Sequence, residues 1–99
     1  MARFFFFYIF NRALKKLVLT DNNIGDAGAS ALSDALKSNN TLEELLLDGE
    51  SVYGNIGPEG AKSIASMLVV NRALTSLNLR GNEIGAGGAK AIADSLPQS

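Results

Sequence analysis

The chain repeats itself, and that constrains its fold more than any other feature, because a repeated unit must pack against copies of itself. Leu14-Lys-Lys-Leu17-Val-Leu19 leads to Asn22, Ile24, Gly25 and Gly28. The same pattern returns as Leu74-Thr-Ser-Leu77-Asn-Leu79, followed by Asn82, Ile84, Gly85 and Gly88. Between them, Leu42-Glu-Glu-Leu45-Leu-Leu47 reaches Ile56, Gly57 and Gly60 after a longer loop. The step is 28 residues from Leu14 to Leu42 and 32 from Leu42 to Leu74. The difference is an insertion around residues 51–54, and insertions in an array fall in loops on one face.

Each unit has a physical reading. In Leu-x-x-Leu-x-Leu the last two leucines alternate, as in a strand with one buried face. Asn22 and Asn82 follow where the chain turns away, and an amide there can pair with main-chain groups that a short strand leaves open. The glycine pairs allow special backbone conformations and a close entry into a helix. Ala31, Leu32, Ala35 and Leu36 recur at helical spacing, as do Ile64, Met67 and Leu68. Asn39 and Asn71 are expected to close their helices, and Pro97 to stop the last one. The expected architecture is α/β: a short solenoid with a parallel sheet on one face and helices on the other. Residues 14–41, 42–73 and 74–99 form its three units.

On these residues the chain resembles the leucine-rich repeats of the ribonuclease-inhibitor-like subfamily, from about residue 14 to residue 96. That subfamily includes NOD-like receptor sensor arms and the Ran GTPase-activating protein. The resemblance implies a short horseshoe segment and protein binding. The departures are the long second loop and Glu50, which stands where the motif has asparagine.

The N-terminal segment, residues 1–13, carries an apolar run over residues 4–10. No small-residue cleavage site follows it, as a signal segment would need, and it is too short to span a bilayer. Asn11-Arg-Ala-Leu14 matches Asn71-Arg-Ala-Leu74 letter for letter. The segment therefore reads as the remnant of a preceding repeat's helix, with a dedicated aromatic cap as the other reading. Neither end carries the polar outer face that a solenoid end needs, so self-association through uncapped ends is expected. The exposed apolar positions would be Leu74, Leu77, Ile84 and Ile92.

Composition narrows the function. Nine basic residues against ten acidic ones leave a net charge of −1, which argues against nucleic acid as partner. Histidine and cysteine are both absent, which removes disulfides, thiolate nucleophiles, imidazole bases and the usual zinc ligands. No metal, cofactor or catalytic group is expected, and the chain reads as a non-enzymatic, cytoplasmic protein without membrane contact. The glycines near Lys62 and Lys90 fail the phosphate-loop pattern, because Ala61 and Ala89 separate glycine from lysine. A calcium loop from Asp48 fails where Val52 and Tyr53 replace an oxygen ligand and a glycine. Lys62 and Ser63, as helical neighbours, point to different sides and make no Ser–Lys pair. Asn39-Asn-Thr41 is a glycosylation sequon that reads better as a helix-end turn.

The open sheet face remains. With Leu17 and Leu19 inward, Lys16, Val18 and Thr20 point outward; by register so do Glu44, Leu46 and Asp48, then Ser76, Asn78 and Arg80. Columns are expected to bring Lys16 beside Glu44, Val18 beside Leu46 and Asp48 beside Arg80. Val18 and Leu46 would form an apolar spot flanked by charge, as binding patches often do. The expected function is protein–protein binding through this concave face, to a partner the sequence does not name. The alternative is a fragment of a longer leucine-rich-repeat regulator, of NOD-like receptor type or a small-GTPase-activating protein.

Overall fold

The three repeats become three coils, each a three-residue strand followed by a helix, in the computed structural model of the chain. The structure describes residues 13–49 and 55–96. The order is β1 (Lys16–Val18), α1 (Gly25–Leu36), β2 (Glu44–Leu46), α2 (Pro58–Val70), β3 (Ser76–Asn78) and α3 (Gly85–Ser95). The strands form one parallel sheet in the order β1-β2-β3. Its register aligns Lys16 with Glu44 and Ser76, Leu17 with Leu45 and Leu77, and Val18 with Leu46 and Asn78. Each sheet position thus holds the same repeat position, across steps of 28 and then 32 residues. The extents of 34 × 33 × 17 Å describe a thin slab, with sheet on one side and helices on the other.

The core lies between these layers and is deepest in the middle. Leu42, Leu45, Leu47, Ile56, Ile64 and Met67 of the second coil are buried, together with Leu32 and Leu36 of the first. Leu17, Leu74, Leu77, Leu79 and Ile84 point inward but are only partly covered. The C-terminal coil was expected to leave Leu74, Leu77, Ile84 and Ile92 partly open, and all four are half-buried.

Glycine is required where coils touch. A Cβ on Gly88 would lie 2.9 Å from the Ala61 Cβ, so α3 could not rest on α2 as it does. Gly81, at φ +82°, brings its α-carbon so close to the Gly49 carbonyl that a side chain would overlap it.

Two sets of side-chain hydrogen bonds fasten one coil to the next. At the helix exits, the Asn71 amide donates to the Leu36 and Asn39 carbonyls at 2.8 and 3.0 Å. Its Oδ1 accepts from the Ala73 and Leu74 N–H groups at 2.9 and 2.8 Å. Asn39 Oδ1 accepts from the Thr41 and Leu42 N–H groups at 3.1 and 2.9 Å. Both asparagines are buried, so each end-of-helix turn is built around a hydrogen-bonded amide, used at both its nitrogen and its oxygen in Asn71. At the strand exits, Asn82 donates to the Leu47 carbonyl at 2.9 Å and accepts from the Ile56 N–H at 3.0 Å. Asn22 reaches only its own coil, donating to the Thr20 carbonyl at 3.1 Å.

A third fastening has no counterpart in the sequence reading. Asp26 Oδ1, in the first turn of α1, accepts from the Gly57 and Gly60 N–H groups at 2.7 and 2.9 Å. The carboxylate of one helix thereby caps the next, satisfying donors that a helix start leaves open. The equivalent positions are Pro58 and Ala86, neither of which can do the same.

The N-terminal remnant (residues 1–12), the insertion at residues 51–54, Glu50 and Pro97 lie outside the described residues.

Candidate functional site

The outward sheet face is assembled by the parallel register itself. Alternation along each strand sends Lys16 and Val18, Glu44 and Leu46, and Ser76 and Asn78 to the side away from the helices. Thr20, Asp48 and Arg80 continue the columns just past the strands. Lys16, Val18, Thr20, Ser76 and Arg80 are exposed, whereas Glu44, Leu46 and Asp48 of the central coil and Asn78 of β3 are half-buried.

The nine residues sort into three rows. In the first, the Lys16 ammonium lies 3.8 Å from the Glu44 carboxylate, and the neighbouring Lys15 pairs with Glu43 at 3.7 Å. These pairs sit in water and neutralise this part of the face at little gain in stability. In the second row Val18, 52% exposed, stands in register with Leu46 and Asn78. This is the apolar spot expected from the register. The third row departs from expectation. Asp48 forms no ion pair with Arg80; it accepts a hydrogen bond from the Thr20 hydroxyl at 2.8 Å. The main chains do meet there, since the Gly49 N–H donates to the Arg80 carbonyl at 2.9 Å. Thr20 claims the carboxylate on the other side. Arg80 is left exposed, and its guanidinium has no ion-pair partner among the described residues.

The cleft beside this face is small. At the carboxyl ends of the strands a shallow cleft is lined by Asp21, Asn22, Asn55 and Asn82, among others, with space of ≈ 10 Å³. That is about one water and far below a small-molecule site. No cluster of potential metal ligands occurs among the described residues. The titratable group with a clear displacement, Lys90, lies on the far helical side; its hydrogen bond to Asp94, reinforced by that carboxylate's charge, raises it above the usual lysine range. No helix of the described residues is long and apolar enough to cross a membrane.

Comparison with known proteins agrees with the coil architecture. The family described as Leucine Rich repeat matches residues 10–33 and 70–93. The coil architecture agrees with that match, and the fold is of the leucine-rich-repeat type. Among solved structures, the chain is similar to one titled Leiomodin-1 Actin-Binding Site 2, with a TM-score of 0.80 and 27% identity. The likeness covers 95% of this chain and 53% of that one, so the chain spans about half the length of the structure it matches. No curated protein matches in sequence. The fold is that of a protein-interaction module.

Proposed function

We propose that the chain binds a protein partner through the outward face of its parallel sheet. The observation that carries this is the pairing of an apolar spot, exposed Val18 beside half-buried Leu46, with an exposed cation, Arg80, whose guanidinium has no ion-pair partner among the described residues. Apolar centres beside a single available charge give contact area and orientation together. The first partner to test is actin, because the similar structure's title names an actin-binding site. The coil of strand plus helix, at steps of 28 and 32 residues, supports placement in the ribonuclease-inhibitor-like subfamily, and the cysteine-free sequence suits the cytoplasm.

Titration of labelled monomeric actin with the chain, and co-sedimentation with actin filaments, test the reading directly. Val18→Glu and Arg80→Glu should each weaken binding about tenfold or more, as truncating central contacts does, with unchanged thermal unfolding. Lys62→Glu, on the exposed side of α2, should leave binding unaltered. Loss of binding with Lys62→Glu but not with the sheet variants would move the interface to the helices. No binding to either form of actin would remove actin as the partner.

A second reading, a segment of a longer leucine-rich-repeat regulator, is favoured by the 53% coverage of the similar chain. The size of the native polypeptide on an immunoblot distinguishes the two.

A further inference from the structure

The exit of β2 carries a reactive pair that the other coils lack. Asp48 is the one aspartate or asparagine in the chain that is followed by glycine; at the same position stand Thr20-Asp21 and Arg80-Gly81. In an aspartate–glycine pair the glycine nitrogen, unhindered by a side chain, attacks the aspartate's side-chain carboxyl carbon. A carbon–nitrogen bond forms, one carboxyl oxygen leaves as water, and a five-membered succinimide closes. Hydrolysis returns the water at either carbonyl, giving aspartate again or an isoaspartate linked through its side chain. The reaction needs no oxidant, reductant or enzyme. It does need the Gly49 nitrogen and the Asp48 carboxyl carbon to meet.

The neighbouring coils hold those two atoms apart. The Gly49 N–H donates to the Arg80 carbonyl of the third coil at 2.9 Å. The Asp48 carboxylate is drawn the other way, accepting from the Thr20 hydroxyl of the first coil at 2.8 Å. The Asp48 carbonyl is fixed on that side too, accepting from the Asp21 N–H at 2.8 Å. The peptide unit between Asp48 and Gly49 is thus pinned from both sides, and turning its nitrogen onto the carboxyl breaks a bond on each. Glycine is not demanded by space here. A Cβ on Gly49 would lie 3.7 Å from the Asp21 carboxylate and 3.9 Å from the Asn55 amide oxygen, ordinary contacts, and its φ is not positive.

We propose that Asp48–Gly49 is a site of spontaneous isoaspartate formation that the packed coils hold closed, so that the modification records separation of the second and third coils. The product adds one carbon to the main chain at the β2 exit. That exit is then out of step with its neighbours, the Gly49–Arg80 bond is lost, and a reversible opening becomes a lasting one. Both coils that hold the pair lie within the described residues. The chemistry is that of the main chain, so it stands or falls separately from the partner-binding reading.

Incubation of the full chain at physiological temperature in heavy-oxygen water, followed by peptide mapping, measures the reaction. Succinimide hydrolysis leaves a heavy oxygen at Asp48 whichever isomer forms, and electron-transfer fragmentation tells the isomers apart. The native chain should gain label at Asp48 many-fold more slowly than the same chain in urea, because only the opened population reacts. Leu77→Ala, which loosens the third coil, should raise the native rate severalfold. Thr20→Val, at an exposed position, frees the carboxylate and should raise it with thermal unfolding unchanged, which keeps the comparison if Leu77→Ala does not fold. Gly49→Ala, which the space admits, should preserve the circular dichroism spectrum and cut labelling in urea severalfold. The purified isoaspartate form should exchange amide hydrogens of the third coil faster than the unmodified chain. Equal labelling in native buffer and in urea would overturn the proposal, and no label at Asp48 in urea would remove the site. A native rate unchanged in both Thr20→Val and Leu77→Ala would overturn the pinning, and equal hydrogen exchange in the two forms would overturn the lasting opening.

Discussion

The second and third coils carry the same motif and differ in how much of it is buried. Leu42, Leu45 and Leu47 are all below 4% exposed, while Leu74, Leu77 and Leu79, at the same repeat positions, are half-buried. In α2 five residues are buried; in α3 Gly88 alone is. The residue types are nearly the same, so the difference comes from neighbours: the second coil has one on each side, the third on one. A leucine in this fold is worth what the next coil covers.

The sharpest way to break that comparison is at its centre. Leu45→Ala should cost on the order of 2–5 kcal/mol, as for a fully buried leucine, and Leu77→Ala roughly half as much. Urea unfolding monitored by circular dichroism measures both. Equal losses would mean that the third coil has a covering that its exposure does not show.

Asn71→Ala follows. It removes two donors' acceptors and leaves the Ala73 and Leu74 N–H groups without partners, which should cost about 2–4 kcal/mol. Asn22→Ala, with one exposed bond inside its own coil, should cost less than about 0.5 kcal/mol. A smaller ratio between them would place the stabilising role of asparagine in its own turn and not between coils.

Asp26→Ala should cost about 1–2 kcal/mol, the usual range for a lost helix cap. Hydrogen exchange should speed at the Gly57 and Gly60 amides, in the neighbouring coil, more than in α1. Faster exchange confined to α1 would show that Asp26 serves its own helix. The smallest effect belongs to the face. Lys16→Ala breaks an exposed ion pair with Glu44 and should shift stability by less than about 0.5 kcal/mol.

These magnitudes also mark where sequence reasoning reaches. Strands, helices, register and the outward columns were all legible, because each repeats and the period aligns them. Asn71 was legible as a helix terminator, but its reach to Leu36 and Asn39 depends on two coils lying side by side. Asp26 gave no sign, since its partners are 31 and 34 residues away and the same position in the other coils is Pro58 and Ala86. The Asp48–Arg80 pairing failed for a local reason: Thr20 lies in the same row, on the other side of Asp48, and offers a hydroxyl at 2.8 Å. A register names neighbours in a column; it does not decide which of two neighbours a side chain takes. Leu17 and Leu77 follow the motif and face inward, yet their burial depends on position in the array, which no single repeat encodes.

The asparagine and aspartate bonds between coils also set how the chain reaches its fold. Those from Asn82, Asp26 and Asn71 across to a neighbouring coil span between 26 and 35 residues, one turn of the solenoid each time. The first such closure carries the full loop entropy with little packing to offset it. Later coils dock onto an edge that already exists. The second coil, which touches both others, is then the natural nucleus, and the third joins after the barrier. Substitutions at Leu45 should accordingly slow refolding, whereas those at Leu77 should mainly quicken unfolding.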